Sequence, residues 1–139
     1  MNITSIDTKQ ISSIAEQYHL QLVVLYGSYA KGTQRQGSDI DIAVLGFEPP
    51  SFKKMLALQN EFFDVCAETD VDVKSLHRVS PFFRYQVMKD GVLLFGDSHL
   101  FTRYKVYAIR ARQENAKLEY LRDILLKKRQ QHLDSLYPS

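Results

Sequence analysis

Ten residues separate a Gly27-Ser28 pair from two aspartates, Asp39 and Asp41, in the segment LYGSYAKGTQRQGSDIDIAVL, and these are the residue types from which a site could be built. Positions two apart on a strand share a face, with Cα atoms roughly 6.7 Å apart, so both carboxylates leave one side while Ile40 and Ile42 point to the other. Unpaired carboxylates set side by side against apolar runs call for a compensating cation. No His or Cys pair lies nearby, and oxygen-only ligation suits Mg²⁺ or Mn²⁺, an ion that takes one or two carboxylates and fills its remaining positions with water and substrate phosphates. Gly27 lets a backbone approach an anion closely, and Ser28 adds a hydroxyl donor. An exposed, inert carboxylate pair in a turn would leave Gly27-Ser28 unexplained.

A third carboxylate would complete a two-metal or metal-plus-base site. Asp72 lies on the next predicted strand, and Asp70 competes with it, because DVDVK allows both registers. Lys31 and Arg35 lie in the loop that faces the phosphates and are secondary candidates for a γ-phosphate, although loop charges of this kind are more often solvated. The four histidines, His19, His77, His99 and His132, have no ligand spacing, and only His77 falls where it could approach the site. Three other phosphate or nucleophile motifs fail. The glycine spacing of a P-loop is present from Gly27 to Gly32, but Thr33 stands where the lysine belongs, and neither Gly-x-Ser-x-Gly nor Gly-x-Gly-x-x-Gly occurs.

The elements that must hold these residues read as alternating helices and strands. A helix is predicted from about residue 8 to 18, then a buried strand Leu22–Tyr26 and a short helix and turn within Ser28–Gly37. The strand Asp39–Leu45 follows. Ser51 caps a helix from Phe52 to Cys66, Val71–Val73 forms a third strand, Pro81–Lys89 a short helix, and Val92–Phe95 a last strand. From Ser98 to about Leu133 there is no Pro or Gly. One helix of that length spans roughly 50 Å, so it either breaks or projects. The expected organisation is an α/β domain with a mixed sheet over residues 1–97 and a helical extension over 98–139, packed on the core or projecting from it.

The 139 residues, with 45% hydrophobic and 24% charged, fit one ordinary globular domain. No apolar run reaches membrane-spanning length and the start lacks the order of a secretion signal, so a cytoplasmic location is expected. The single cysteine, Cys66, sits among apolar neighbours and reads as a buried thiol. Residues 1–99 carry 9 basic against 12 acidic side chains, and residues 100–139 carry 9 against 4. The basic tail scatters its charge around a helix, which fits a packed helix with solvated charges or a docking surface for a protein; direct nucleic-acid binding is not expected.

Gly27-Ser28 followed by Asp39-Ile40-Asp41 resembles the signature of the DNA polymerase β nucleotidyltransferase superfamily. YGSYAKG and SDIDIAVL are similar to its minimal bacterial members, the MNT proteins, and most closely resemble those that are antitoxins paired with HEPN toxins. The resemblance covers residues from about 20 to 95. It implies Mg²⁺-dependent transfer of a nucleoside monophosphate from ATP with release of pyrophosphate, using two Mg²⁺ ions or Mn²⁺ in their place. For HEPN-paired members it implies that AMP passes to a tyrosine of a HepT-like ribonuclease and silences it. On this resemblance Gly27 and Ser28 hold the triphosphate, Asp39 and Asp41 bind metal, and Asp72 is the third carboxylate. The preference for ATP rests on the resemblance alone. Rival readings are a non-catalytic antitoxin that occludes its partner, a nucleotide-sensing module, and a transferase acting on a small hydroxylated molecule, for which the chain looks short.

Overall fold

The computed structural model describes residues 6–66 and 69–137. Its elements alternate as the hydrophobic pattern requires: α1 (Thr8–Gln17), β1 (Leu20–Tyr26), α2 (Ser28–Lys31), β2 (Ile40–Gly46), α3 (Phe52–Val65), β3 (Val71–Ser75), α4 (Pro81–Asp90), β4 (Val92–Phe95) and α5 (Ser98–Leu136). Side-chain caps mark four helix starts. Asp7 accepts from the N–H groups of Lys9 and Gln10, Ser51 from Lys54, Ser80 from Phe83, and Asp97 from His99, satisfying donors the helices cannot use internally.

The four strands form one mixed sheet in the order β3-β2-β1-β4. β1 pairs antiparallel with β2 and β4, whereas β2 and β3 run parallel. The central strands β1 and β2 have apolar side chains on both faces, so each face gathers its own core. Ile11, Ile14, Leu58 and Phe62 from α1 and α3 meet Val23, Leu25, Ile40 and Ile42 on one side. On the other, Val87 and Met88 of α4 and Ala108 of α5 meet Leu22, Val24 and Ala43. Cys66 is fully buried in the first core, as its neighbours imply.

Some boundaries differ from the pattern-based reading. β1 begins at Leu20, β3 continues to Ser75, and β2 begins at Ile40, leaving Asp39 just ahead of the strand. The edge strand β3 is held by more than its one neighbour, because the Gln59 amide donates to the Val71 carbonyl and accepts from the Val73 N–H at 2.9 Å, taking the place of a missing strand.

α5 does not break. Its 39 residues span roughly 59 Å at the α-helical rise. Leu100, Phe101, Tyr104 and Ala108 pack against the second core, but Leu118 and Leu125 are 65% and 66% exposed, so the apolar stripe runs past the body that covers its first turns. No described helix is long and apolar enough to cross a membrane.

Candidate active site

The chain leaves β1 through Gly27, which adopts φ 75° and ψ −152°, a conformation that L side chains rarely enter. Space reinforces the requirement. A Cβ built on Gly27 would collide with Oδ2 of Asp41, so the carboxylate fills the room that the absent side chain leaves. The short helix α2 starts at Ser28 and is closed by Gly32 in the left-handed conformation, folding the loop back over the strand ends.

Register brings the rest together. Tyr26 pairs with Asp41 across β1 and β2, and Asp41 pairs with Asp72 across β2 and β3, so three adjacent strands present these side chains in a row on the face covered by α4 and α5. Asp39 lies two residues before Asp41 at the same end of the sheet. Burial pushes the Asp41 carboxyl above its ordinary range, with Asp72 and Asp39 adding repulsion and Lys74 opposing them. The Tyr26 hydroxyl is raised strongly, by burial first and then by Asp41 and Asp72. This is negative charge held together with too little cation.

Asp72 and Asp70, equivalent candidates in the sequence, have different places. Asp72 is in register with Asp41, whereas the backbone carbonyl of Asp70 accepts the Ile40 N–H at 2.8 Å and its residue borders a cavity of about 480 Å³ with Asp39 and Tyr29. Arg35 borders that same cavity and is tied to Ser38 through its backbone, its N–H donating to Oγ at 2.8 Å. Lys31 is elsewhere. It lines a cavity of about 390 Å³ with Tyr26, Gly27 and Phe82, and its Nζ stands 3.9 Å from Asp90. The two loop cations therefore flank the carboxylates from different cavities rather than converging on one point.

His77 does not approach this site. β3 runs parallel to β2 and carries the chain to the opposite end of the sheet, where Nε2 of His77 accepts the Gly46 N–H at 3.1 Å. Lys74 is a residue the motif reading missed. It follows Asp72 by two, shares its face, and lies 3.6 Å from the Asp72 carboxylate. Period-two spacing marks it in the sequence, but only strand pairing shows that it faces Asp41 as well.

The donor set fits a magnesium-type ion: carboxylate oxygens, no soft ligand, and an ammonium already drawn to one of them. Among the described residues no three His, Cys, Asp or Glu side chains yet converge on one point. Water and phosphate oxygens commonly complete the coordination of such ions.

Comparison with known proteins agrees with this geometry. Residues 9–100 match the family model described as polymerase beta, nucleotidyltransferase. A putative protein adenylyltransferase of Methanocaldococcus jannaschii is 32% identical over 95 residues, spanning 66% of this chain and 94% of that protein. The protein adenylyltransferase MntA of Shewanella oneidensis is 38% identical over 85 residues, 59% of this chain and 60% of its own length. Among solved structures, a chain from a toxin–antitoxin crystal structure with AMP-PNP superposes with a TM-score of 0.71 at 28% identity, covering 86% of this chain and 98% of that one. A chain from the complex of tri-AMPylated Shewanella oneidensis HEPN toxin with MNT antitoxin gives 0.65 at 25% identity, covering 86% and 95%. With its glycine turn, its row of aspartates and a family match across residues 9–100, the chain belongs to the polymerase β nucleotidyltransferase family.

Proposed function

We propose that this protein is an antitoxin that transfers AMP from ATP to a tyrosine of a partner HEPN toxin ribonuclease, silencing it. The observation that carries the reading is Asp41 set between the Gly27 turn at the end of β1 and Asp72 on β3, in a chain similar to proteins named as adenylyltransferases. The similarity to a complex containing an AMPylated HEPN toxin supports the choice of acceptor.

The row gives the reaction a direction. Gly27 and Ser28 receive the triphosphate at the end of β1, with Lys31 beside them and Arg35 approaching from the other cavity. The acceptor tyrosine enters from the β3 side, so that its oxygen meets the α-phosphorus opposite the departing pyrophosphate. One P–O bond forms to the phenolic oxygen, and the bond from the α-phosphorus to the bridging oxygen breaks. Asp72 receives the phenol's proton. Asp39, Asp41 and Asp72 would hold Mg²⁺, as two ions or with Mn²⁺ in their place. When bound, the metal supplies positive charge that offsets the charge developing on the phosphates. The core, residues 1–97, carries this chemistry, and residues 98–139 extend it with a helix available to the partner. We place the reaction in the cytoplasm, where ATP is available.

Incubation with ATP, Mg²⁺ and the HEPN partner, followed by intact and peptide mass analysis, tests the reading. The expected result is AMP on a tyrosine with wild-type protein and none with D39N/D41N. A partner that is bound and inhibited without any added mass would replace transfer with occlusion.

A further inference from the structure

Two lysines flank the carboxylate row, and they are differently employed. Lys31 stands on the phosphate side of Asp41, 3.9 Å from Asp90 and away from the row itself. Lys74 stands on the far side. Its Nζ is 3.6 Å from Oδ2 of Asp72, and its ammonium also lies 5.6 Å from the centroid of the Phe83 ring on α4. Among the described residues, no other ion pair reaches Asp39, Asp41 or Asp72.

We propose that Lys74 is a resident counter-ion of the carboxylate row, a cation built into β3 that holds the place of the metal's charge in the nucleotide-free protein and competes with metal binding. The proposal rests on the reading of the aspartates as metal ligands. Three carboxylates with one ammonium leave a formal charge of −2, which a single divalent ion offsets. Lys74 therefore weakens the site's hold on metal until a triphosphate brings additional negative charge and additional oxygen ligands. Phe83 already shares the ammonium in this position and remains a partner for it when the carboxylate turns to metal, because an aromatic face attracts a cation without needing the carboxylate. Lys74 is half exposed on a flexible stem, so the exchange requires no backbone movement. Lys74 also counters the repulsion that Asp72 and Asp39 exert on Asp41. The consequence is ordered loading, with metal bound weakly alone and more firmly with nucleotide.

Titration with Mn²⁺, reading free ion by electron paramagnetic resonance, tests this on the full chain with and without a non-hydrolysable ATP analogue. K74M keeps the length of the stem and removes the charge. It should bind Mn²⁺ about fivefold or more tightly without nucleotide, as expected when a nearby like charge is removed from a partly solvated site, and the gain should shrink once nucleotide is present. K74R should match wild type. Unchanged or weaker Mn²⁺ binding by K74M, while D39N/D41N abolishes binding, would overturn the role of Lys74 and leave the metal site standing. Equal Mn²⁺ binding by wild type and D39N/D41N would overturn both.

Discussion

The Asp41 carboxylate occupies the space that a side chain on residue 27 would need, so the turn after β1 and the aspartate of β2 are one structural unit. A side chain at residue 27 cannot be added without displacing Asp41. Glycine is required at 27 twice over, by its positive φ and by this contact, and the same contact brings the turn proposed to hold phosphate against a carboxylate proposed to carry metal.

Gly27→Ala should therefore damage activity more than stability. The new methyl group displaces Asp41 and strains the turn, at about 1–3 kcal/mol of folding free energy for an L residue forced into that region. AMP transfer should fall by about two orders of magnitude, because displacing a charged group at the reacting centre costs that much readily. Thermal melting and transfer rate measured on the same sample separate the two effects; a variant melting slightly lower with undiminished transfer would show that the Gly27–Asp41 contact is not part of the machinery.

D39N/D41N should abolish transfer and, without metal, raise thermal stability. The reason lies in the direction of the Asp41 shift. Its folded-state pKa is raised above the ordinary aspartate value of 3.8, so the native state binds more protons than the unfolded chain in the window between the unfolded and folded values. Its contribution is fully present below the unfolded value and is lost as pH rises through the folded one. Chelator-treated wild type should accordingly lose melting temperature as pH climbs through this window, and Mg²⁺ should flatten the slope. The double variant should show a shallower slope in chelator, and a slope as steep as wild type would assign the pH dependence to other groups.

Local chemistry made much of this legible in the sequence. Alternation placed Asp39 and Asp41 on one face, Ser51 marked a helix start, and the unbroken stretch after Ser98 marked a long helix. Whatever depends on which strand lies beside which was not legible. Asp70 and Asp72 have the same period and similar neighbours, and only the parallel pairing of β2 with β3 sets Asp72 beside Asp41. The same pairing carries His77 away to Gly46, although it is near Asp72 in the chain. Whether α5 would break or project depended on where the packed body ends, a property of the whole sheet and of no residue in the helix.

Truncation after Lys117 should leave the core folded and its nucleotide chemistry intact. Ala108 is the last fully buried residue of α5, and Leu118 and Leu125 contribute little to the body as they stand. Melting should therefore shift by no more than about 2 °C, consistent with the near-neutral effect of losing exposed residues from a domain this size. ATP binding should be unchanged. A large loss of stability would mean that the exposed stripe is covered, either by a second copy of the chain or by a partner, and sedimentation at several concentrations would distinguish the two.

Gln59 offers the sharpest separation of position from chemistry, because it touches no carboxylate yet holds the strand that bears Asp72. Its amide bonds both the Val71 carbonyl and the Val73 N–H, the backbone groups flanking Asp72. Gln59→Leu keeps most of the volume and leaves those two groups unpaired, at about 1–3 kcal/mol for each that stays out of water. β3 should then loosen at its open edge while β1, Gly27 and Asp41 stay in place. ATP affinity should be nearly unaffected, since the proposed triphosphate site lies at the other end of the row, but the transfer step should slow by about tenfold as Asp72, the proposed proton acceptor, loses its fixed position. Hydrogen exchange at Ile40 and Leu76, whose N–H groups donate across the β2–β3 pairing to the carbonyls of Asp70 and Val44, measures the loosening directly. Faster exchange there with an unchanged transfer step would show that Asp72 works without a rigid strand beneath it, and would shift the burden of positioning to Asp39 and Asp41.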